Sequence, residues 1–319
     1  MHEGSKKAVV AALSANLGIA VSKFVGFALT GAASMLAEAV HSVADCGNQA
    51  LLLFGSARAA RRPSDAHPFG YGRERYFWSF VVAIVIFVLG GAFAMYEGIE
   101  KLFHPHDLES PWIAVGILSV GVVLEAWSFM TAIKEANALR GDTSWPAFIR
   151  HTKAAELPVI LLEDLGALLG LAFALCGVGL AVLTGEPRFD AVGSVAIGLL
   201  LISIAYVLAK EMRSLLIGEA ASDEMIALIR RELTDHGKLE LIHMRTTHLG
   251  PDELLVAAKL AFPPTLAFRE VAEQIDAAEA RVRIHVPIAR LIYIEPDVLR
   301  LEGTRATASL VPEANAPEH

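Results

Sequence analysis

The chain of 319 residues is too apolar for an ordinary soluble protein, because hydrophobic residues make up 54% of it and charged residues only 19%. This composition predicts an integral membrane protein. The net charge of -8 argues against a nucleic-acid partner, since binding to phosphates requires a surface on which Lys and Arg predominate. Both cysteines, Cys46 and Cys176, lie in apolar segments and are predicted to be free thiols.

Six apolar windows are each long enough to cross a bilayer, which takes about 20 helical residues. In chain order they cover residues 8–30, 33–57, 76–102, 112–133, 156–183 and 189–216. Basic residues are concentrated in the connections after the second and fourth windows, and the other connections hold little positive charge. By the positive-inside rule, this asymmetry predicts cytoplasmic termini. The sequence therefore predicts a membrane domain of six transmembrane helices over residues 1–217.

From about residue 218 the sequence has the character of a small soluble domain, with interspersed charges and a hydrophobic period that alternates between helix and strand. Two strands are predicted around the Gly250-Pro251 turn, with a helix on either side of the pair and a last strand at 289–295. The order α-β-β-α-β predicts a ferredoxin-like α+β domain over residues 218–300. The tail, residues 301–319, is predicted to be disordered.

Ionisable side chains lie inside two of the apolar windows. His41 and Asp45 are four residues apart in the second window, so on a helix they share one face, and Glu38 extends the same stripe. An Asp at mid-span costs about 2.5–3.5 kcal/mol on insertion scales, so such residues normally mark a transport path. Imidazole together with carboxylate is a ligand set that suits a divalent metal such as zinc.

A second helix must complete such a site. Asp164 is the best candidate, because it lies inside the apolar fifth window. The adjacent Glu163 would point about 100 degrees away from it on a helix, which predicts a supporting or proton-coupled role. An alternative is that these groups only form hydrogen bonds between packed helices. We expect no basic partner for these acids within the spans, however, and this excess of negative charge favours a bound cation.

Two stretches of the sequence carry a family signature. Residues 36–45 have the sequence LAEAVHSVAD and are followed by Asn48, and Arg62-Pro63 leads to residues 67–80, HPFGYGRERYFWSF. These stretches resemble the cation diffusion facilitator family of divalent-metal transporters, and in particular the branch that includes the ninth human zinc-transporter type and its bacterial relatives. The resemblance covers residues 8–298, including the windows, the asymmetric connections and the C-terminal domain.

The resemblance implies a homodimer in which each protomer exports a divalent metal, most simply zinc, in exchange for protons, without a prosthetic group. It assigns three metal ligands in the second and fifth spans: His41, Asp45 and Asp164. At the position four residues before Asp164, many members of the family have His or Asp, but here it is Ile160. Glu163, Glu38 or a water molecule is left as the fourth ligand.

Two accessory metal sites of the family have lost residues in this chain. After the second span, Asp65 and His67 form at most a weak site, because Tyr71 stands where the resemblance implies a second His. In the soluble domain His243 matches a ligand position, but Lys259 stands where relatives have a histidine. The resemblance therefore implies that this domain serves mainly in dimerisation.

The predicted activity is secondary active efflux of a divalent cation by proton antiport, in the inner membrane of a bacterium. Metal and proton compete for the same lone pairs of the ligands, so metal affinity should fall as the pH falls. Two alternatives stay open. Ile160 in place of a ligand leaves room for a membrane metal sensor or interaction protein without flux, and an intramembrane metal hydrolase would use the same residues without the usual H-E-x-x-H signature.

Overall fold

The computed structural model describes residues 3–105, 111–152 and 156–299, so the predicted tail at 301–319 lies outside the described residues. The first part of the described chain is helical. Its helices are α1 (Glu3–Thr30), α2 (Ala33–Ala59), α3 (Glu74–Val81), α4 (Val88–Phe103), α5 (Pro111–Arg140), α6 (Trp145–His151), α7 (Glu156–Thr184) and α8 (Arg188–Ile217). A π-helical segment, Val82–Phe87, joins α3 to α4, so this predicted span has a change of helical pitch at its centre.

The connection between α1 and α2 is only two residues long, and glycine makes it possible. Gly31 has a φ of +63 degrees, in the left-handed region that favours glycine, and its N–H donates to the carbonyl of Phe27 at 2.7 Å. This bond closes the last turn of α1 and lets the chain reverse direction immediately. The two helices therefore pack against each other.

Small residues let α4, α7 and α8 pack closely. A Cβ atom built on Gly198 of α8 would lie 2.8 Å from the backbone nitrogen of Met95 in α4, and one built on Gly177 of α7 would lie 2.9 Å from the carbonyl oxygen of Phe189. Helix backbones that leave no room for a Cβ atom between them are typical of helices that associate in membranes through small residues. They hold α8 at the centre of the bundle, where Ile197, Leu201 and Leu208 are buried in the main apolar core.

Among the described residues, three helical segments are long and apolar enough to cross a membrane: Pro111–Lys134, Leu157–Thr184 and Arg188–Ile217. They correspond to the fourth, fifth and sixth predicted windows. The described apolar part of α1, Leu17–Thr30, is shorter. The stripe of polar residues in α2 reduces its hydropathy, and the π-helical segment interrupts the third window. The six-span count therefore stays a prediction.

The second part of the chain contains α9 (Asp223–Leu233), β1 (Glu240–Gly250), β2 (Glu253–Ala261), α10 (Phe268–His285) and β3 (Leu291–Asp297), which is the predicted order. The sheet order is β1-β2-β3, and β2 runs parallel to β3 with Leu255 opposite Leu291. Ser222 caps α9 by accepting the N–H of Met225 at 3.3 Å. The described residues form two compact units, the first extending to Glu219 and the second comprising most of the chain from Ala220. Both cysteines are free thiols, as predicted.

Candidate metal site

The predicted pair on α2 lies on one face of that helix and inside the bundle. His41 and Asp45 are only 1% and 8% exposed, and the imidazole Nδ1 lies 3.4 Å from the Asp45 Oδ1. This contact is the one that a spacing of four residues allows on a helix. The α2 helix therefore offers a nitrogen and an oxygen ligand side by side, and their role in binding metal stays a prediction.

The two acids of α7 point in different directions. Glu163 is 4% exposed, and its carboxylate accepts a hydrogen bond from the side-chain amide of Asn48 on α2. Asp164 is half-buried and accepts a hydrogen bond from the Ser128 hydroxyl of α5 at 3.1 Å. Successive residues on a helix are rotated by about 100 degrees, so the two carboxylates are directed at different helices. Glu163 is thus the acid of α7 that is hydrogen-bonded to α2, and the metal-binding role of Asp164 stays a prediction.

Five carboxylates of α2, α5 and α7 lie in this part of the bundle, and we call them the acidic cluster: Glu38, Asp45, Glu125, Glu163 and Asp164. Glu163 is bonded to α2, and Asp164 is bonded to Ser128 of α5, three residues after Glu125. Within the described residues, however, no three His, Cys, Asp or Glu side chains come together with a geometry that could hold a metal ion. The predicted ligands thus share a region without forming a closed coordination shell.

A buried lysine accompanies the acidic cluster, which corrects the expectation that the spans provide no basic partner. Lys23 of α1 is 1% exposed, and its Nζ donates to Glu38 Oε2 at 3.1 Å and to the Ser42 hydroxyl at 2.7 Å. A buried carboxylate is stable when it is paired and hydrogen-bonded in this way. The sequence does contain a signal for this pair, because Lys23 is an isolated charge between Leu17 and Thr30 in the first apolar window.

Glu38 reaches α7 because the residue it meets there is a glycine. A Cβ atom built on Gly170 would collide with the Glu38 Oε1 atom. Gly170 follows Glu163 by seven residues, so both lie on the face of α7 that is directed at α2. The missing side chain at Gly170 therefore provides the space in which the buried Lys23–Glu38 ion pair fits.

Replacing Gly170 by Ala should make the protein about 1–3 kcal/mol less stable than replacing Gly179 by Ala, because the added methyl group displaces the Glu38 carboxylate while the gain in helix propensity is common to both variants. Unfolding of the detergent-solubilised protein by denaturant measures this change. Gly179→Ala on the same helix is the matched control, since no atom lies within 4 Å of a Cβ built there. The control should be neutral or more stable by roughly 0.5–1 kcal/mol. Equal stability of the two variants would contradict the prediction.

A second buried polar group, which we call the Asp190 knot, ties together three helices and the connection between α1 and α2 at one end of the bundle. The Asp190 carboxylate at the start of α8 accepts the N–H groups of Ala33 and Ser34, at 2.8 and 3.3 Å, and also the Ser34 hydroxyl. Lys101 of α4 donates to Asp190 at 3.0 Å and to the Gly31 carbonyl at 2.8 Å. Asp190 thereby caps the N-terminus of α2, whose own N-cap residue is an alanine.

The weak accessory site after α2 is occupied by an aromatic contact. The rings of His67 and Tyr71 lie 4.6 Å apart between centroids, and the Tyr71 hydroxyl lies 3.0 Å from the Ser64 hydroxyl. Asp65 is exposed in the same turn. Tyr71 therefore packs against His67 at the position where the resemblance implies a second His, and the metal-binding role of Asp65 and His67 stays a prediction.

In the second unit, His243 lines a shallow cavity of about 410 Å³ together with Tyr293, Glu279 and Glu295. The Nζ of Lys259 lies 2.9 Å from Glu295 and 2.9 Å from Asp297. Hydrogen bonds to these two carboxylates raise the pKa of Lys259. The charge of Glu295 is thus compensated by an ammonium group at the position where the resemblance implies a metal-binding histidine. His243 is left as a predicted weak ligand.

Long apolar helices around a buried imidazole and several carboxylates are features of an integral membrane protein. A family model described as the cation efflux transmembrane domain matches residues 9–217. The chain belongs to this family, the cation diffusion facilitators, as the signature in α2 predicts.

Relatives with this domain come from animals, plants and bacteria. Over 277 residues the chain is 31% identical to the human protein named Proton-coupled zinc antiporter SLC30A9, mitochondrial, and the match covers 86% of this chain and 49% of that protein. Metal tolerance protein C4 of Arabidopsis thaliana is 30% identical over 262 residues, 81% of this chain and 57% of that protein. The chain thus spans about half the length of these two relatives. Zinc transporter ZitB of Pectobacterium atrosepticum is 24% identical over 249 residues, 77% of this chain and 71% of that protein.

Proposed function

We propose that this protein exports a divalent metal cation, with zinc as the main substrate, across a membrane by proton antiport. The observation that carries the proposal is the buried His41–Asp45 pair of α2, with Glu163 of α7 held against the same helix through Asn48. Imidazole and carboxylate ligands suit zinc and other borderline divalent metals. The printed names of the human and bacterial relatives, a proton-coupled zinc antiporter and a zinc transporter, support the same substrate.

The proposed mechanism uses competition between metal and proton. Metal ligands must be deprotonated, so the arriving cation displaces protons from His41 and the carboxylates, and a lower pH on the receiving side assists its release. Closing the coordination shell requires an acid of α7 to leave its present partner, because Asp164 is bonded to Ser128 and Glu163 to Asn48. Rocking of the bundle between two arrangements would couple this closure to access from alternate sides.

The proposal extends to the whole protein. Six membrane-spanning helices over residues 1–217 carry the cation, and the domain at 218–300 lies in the cytoplasm and joins two protomers into a homodimer. Both termini face the cytoplasm of a bacterium, and the protein acts as a transporter and not as an enzyme. The distribution of basic connections and the similarity to named transporters support this arrangement.

The experiment that tests the proposal is metal uptake by proteoliposomes containing the purified protein, with Zn²⁺, Mn²⁺, Fe²⁺, Co²⁺ and Cd²⁺ compared in parallel. With an acidic lumen, Zn²⁺ should enter fastest and the lumen should become more alkaline, and a protonophore should remove the accumulation. A rate of Zn²⁺ uptake that does not depend on the pH gradient would contradict antiport.

A metal sensor without flux is the second candidate. It is favoured by the lack, within the described residues, of three potential ligands arranged around one point. Zinc binding by the purified protein without any uptake into proteoliposomes would select it. Steady turnover of a peptide or lipid by the purified protein would instead select an intramembrane hydrolase.

A further inference from the structure

Lys23 places a positive charge among the carboxylates of the acidic cluster. Its ammonium group is bonded to Glu38 and to Ser42 of α2, and Ser42 directly follows His41 in the sequence. Being buried, this charge is poorly screened by water and salt. An ammonium so close to the proposed transport site must influence how strongly a second cation binds there.

The partner of Lys23 is itself well suited to bind a metal. Glu38 precedes His41 by three residues, so on α2 its carboxylate lies on the same side as the imidazole. One oxygen of Glu38 is bonded to Lys23, and for the other, which faces Gly170, the described residues offer no hydrogen-bond donor. Without Lys23, Glu38 and His41 would form a second carboxylate–imidazole pair, one turn away from the pair of His41 and Asp45.

We propose that Lys23 is a positioning residue: it binds the Glu38 carboxylate and so keeps Glu38 from binding the metal. The transported cation then binds at the His41–Asp45 pair, and binds weakly enough to be released. The inference rests on the proposed function, since it concerns the same site. Lys23 acts in two ways: it occupies the Glu38 carboxylate, and its charge repels the arriving cation. Both effects lower metal affinity and favour turnover.

The test measures Zn²⁺ binding to the purified protein by calorimetry, for the wild type, Lys23→Met, Glu38→Gln and the double variant. Lys23→Met should bind Zn²⁺ about tenfold more tightly or better, because one nearby positive charge is removed and Glu38 is released. Glu38→Gln should bind Zn²⁺ about tenfold more weakly, because Lys23 remains without its counter-charge. The double variant has the net charge of the wild type and should bind within about threefold of it.

Two further measurements make the test specific. Zinc uptake by Lys23→Met should show a lower KM together with a lower kcat, which a merely structural role of Lys23 would not produce. Lys134→Met, which removes an exposed lysine from α5, is the matched control and should leave both binding and uptake unchanged. If Lys23→Met does not fold, the double variant, which lacks both charges, is measured in its place, and its Zn²⁺ affinity should be close to that of the wild type.

The outcomes separate this inference from the proposed function. If the wild type moves Zn²⁺ but Lys23→Met binds it no more tightly, only the role of Lys23 is refuted. If the double variant binds as tightly as Lys23→Met, the effect does not pass through Glu38 and the inference is also refuted. If the wild type binds Zn²⁺ without moving it, the antiport proposal fails, and the predicted order of affinities still decides the role of Lys23. A wild type that binds no Zn²⁺ would overturn both.

Discussion

Replacing Asp45 by Asn should reduce zinc uptake into proteoliposomes by at least about 100-fold, to the level of vesicles without protein. Even residues that only support metal ligands cost about 10–100-fold when mutated, and Asp45 is proposed to bind the metal itself. An amide has nearly the shape of the carboxylate but lacks the negative charge that attracts a divalent cation. Initial rates of Zn²⁺ uptake, normalised to reconstituted protein, measure the effect.

The matched control is Asp142→Asn, an exposed acid in the turn after α5, which should transport like the wild type. Zinc uptake by Asp45→Asn at the wild-type rate would contradict the proposed site. Glu163→Gln and Asp164→Asn, measured in the same assay, identify the acid of α7 that serves as ligand. A larger loss for Glu163→Gln would assign that role to the residue that contacts α2, and a larger loss for Asp164→Asn would support the assignment implied by the family resemblance.

Replacing Asp190 by Ala should lower the free energy of unfolding by about 3–5 kcal/mol, because it removes one partner of a buried ion pair and leaves Lys101 charged and unpaired. The N–H groups of Ala33 and Ser34 lose their acceptor at the same time. The loss should appear as a lower midpoint of denaturant unfolding in detergent, with zinc omitted so that metal binding does not affect the result.

Glu186→Ala is the control for the Asp190 variant. Glu186 lies four residues earlier, and its carboxylate is 3.8 Å from the guanidinium of Arg188 in an exposed ion pair. Exposed pairs contribute little, so this variant should stay within about 0.5 kcal/mol of the wild type. If Asp190→Ala were as stable as Glu186→Ala, the Asp190 knot would not hold the helix ends together.

Local signals in the sequence were sufficient to place most helices. The windows predicted at 33–57 and 156–183 correspond to α2 (Ala33–Ala59) and α7 (Glu156–Thr184). A glycine in the connection before α2 ends α1, and a glycine in the connection after α7 ends α7. The π-helical segment Val82–Phe87 was not predicted, since an apolar run has the same composition whether its hydrogen bonds close α or π turns. Family membership also followed from the sequence, through the residues around His41 and Asp45.

Which side chains meet was decided by the tertiary structure alone. Glu163 and Asp164 are equivalent in an apolar run, and only the rotation of α7 about its axis turns Glu163 toward Asn48 and Asp164 toward Ser128. Lys23 is visible in the sequence as an isolated charge, but its pairing with Glu38 depends on the packing of α1 against α2 and on the space at Gly170. Sequence periodicity determines which residues share a face of one helix, whereas the packing of all the helices determines which faces meet.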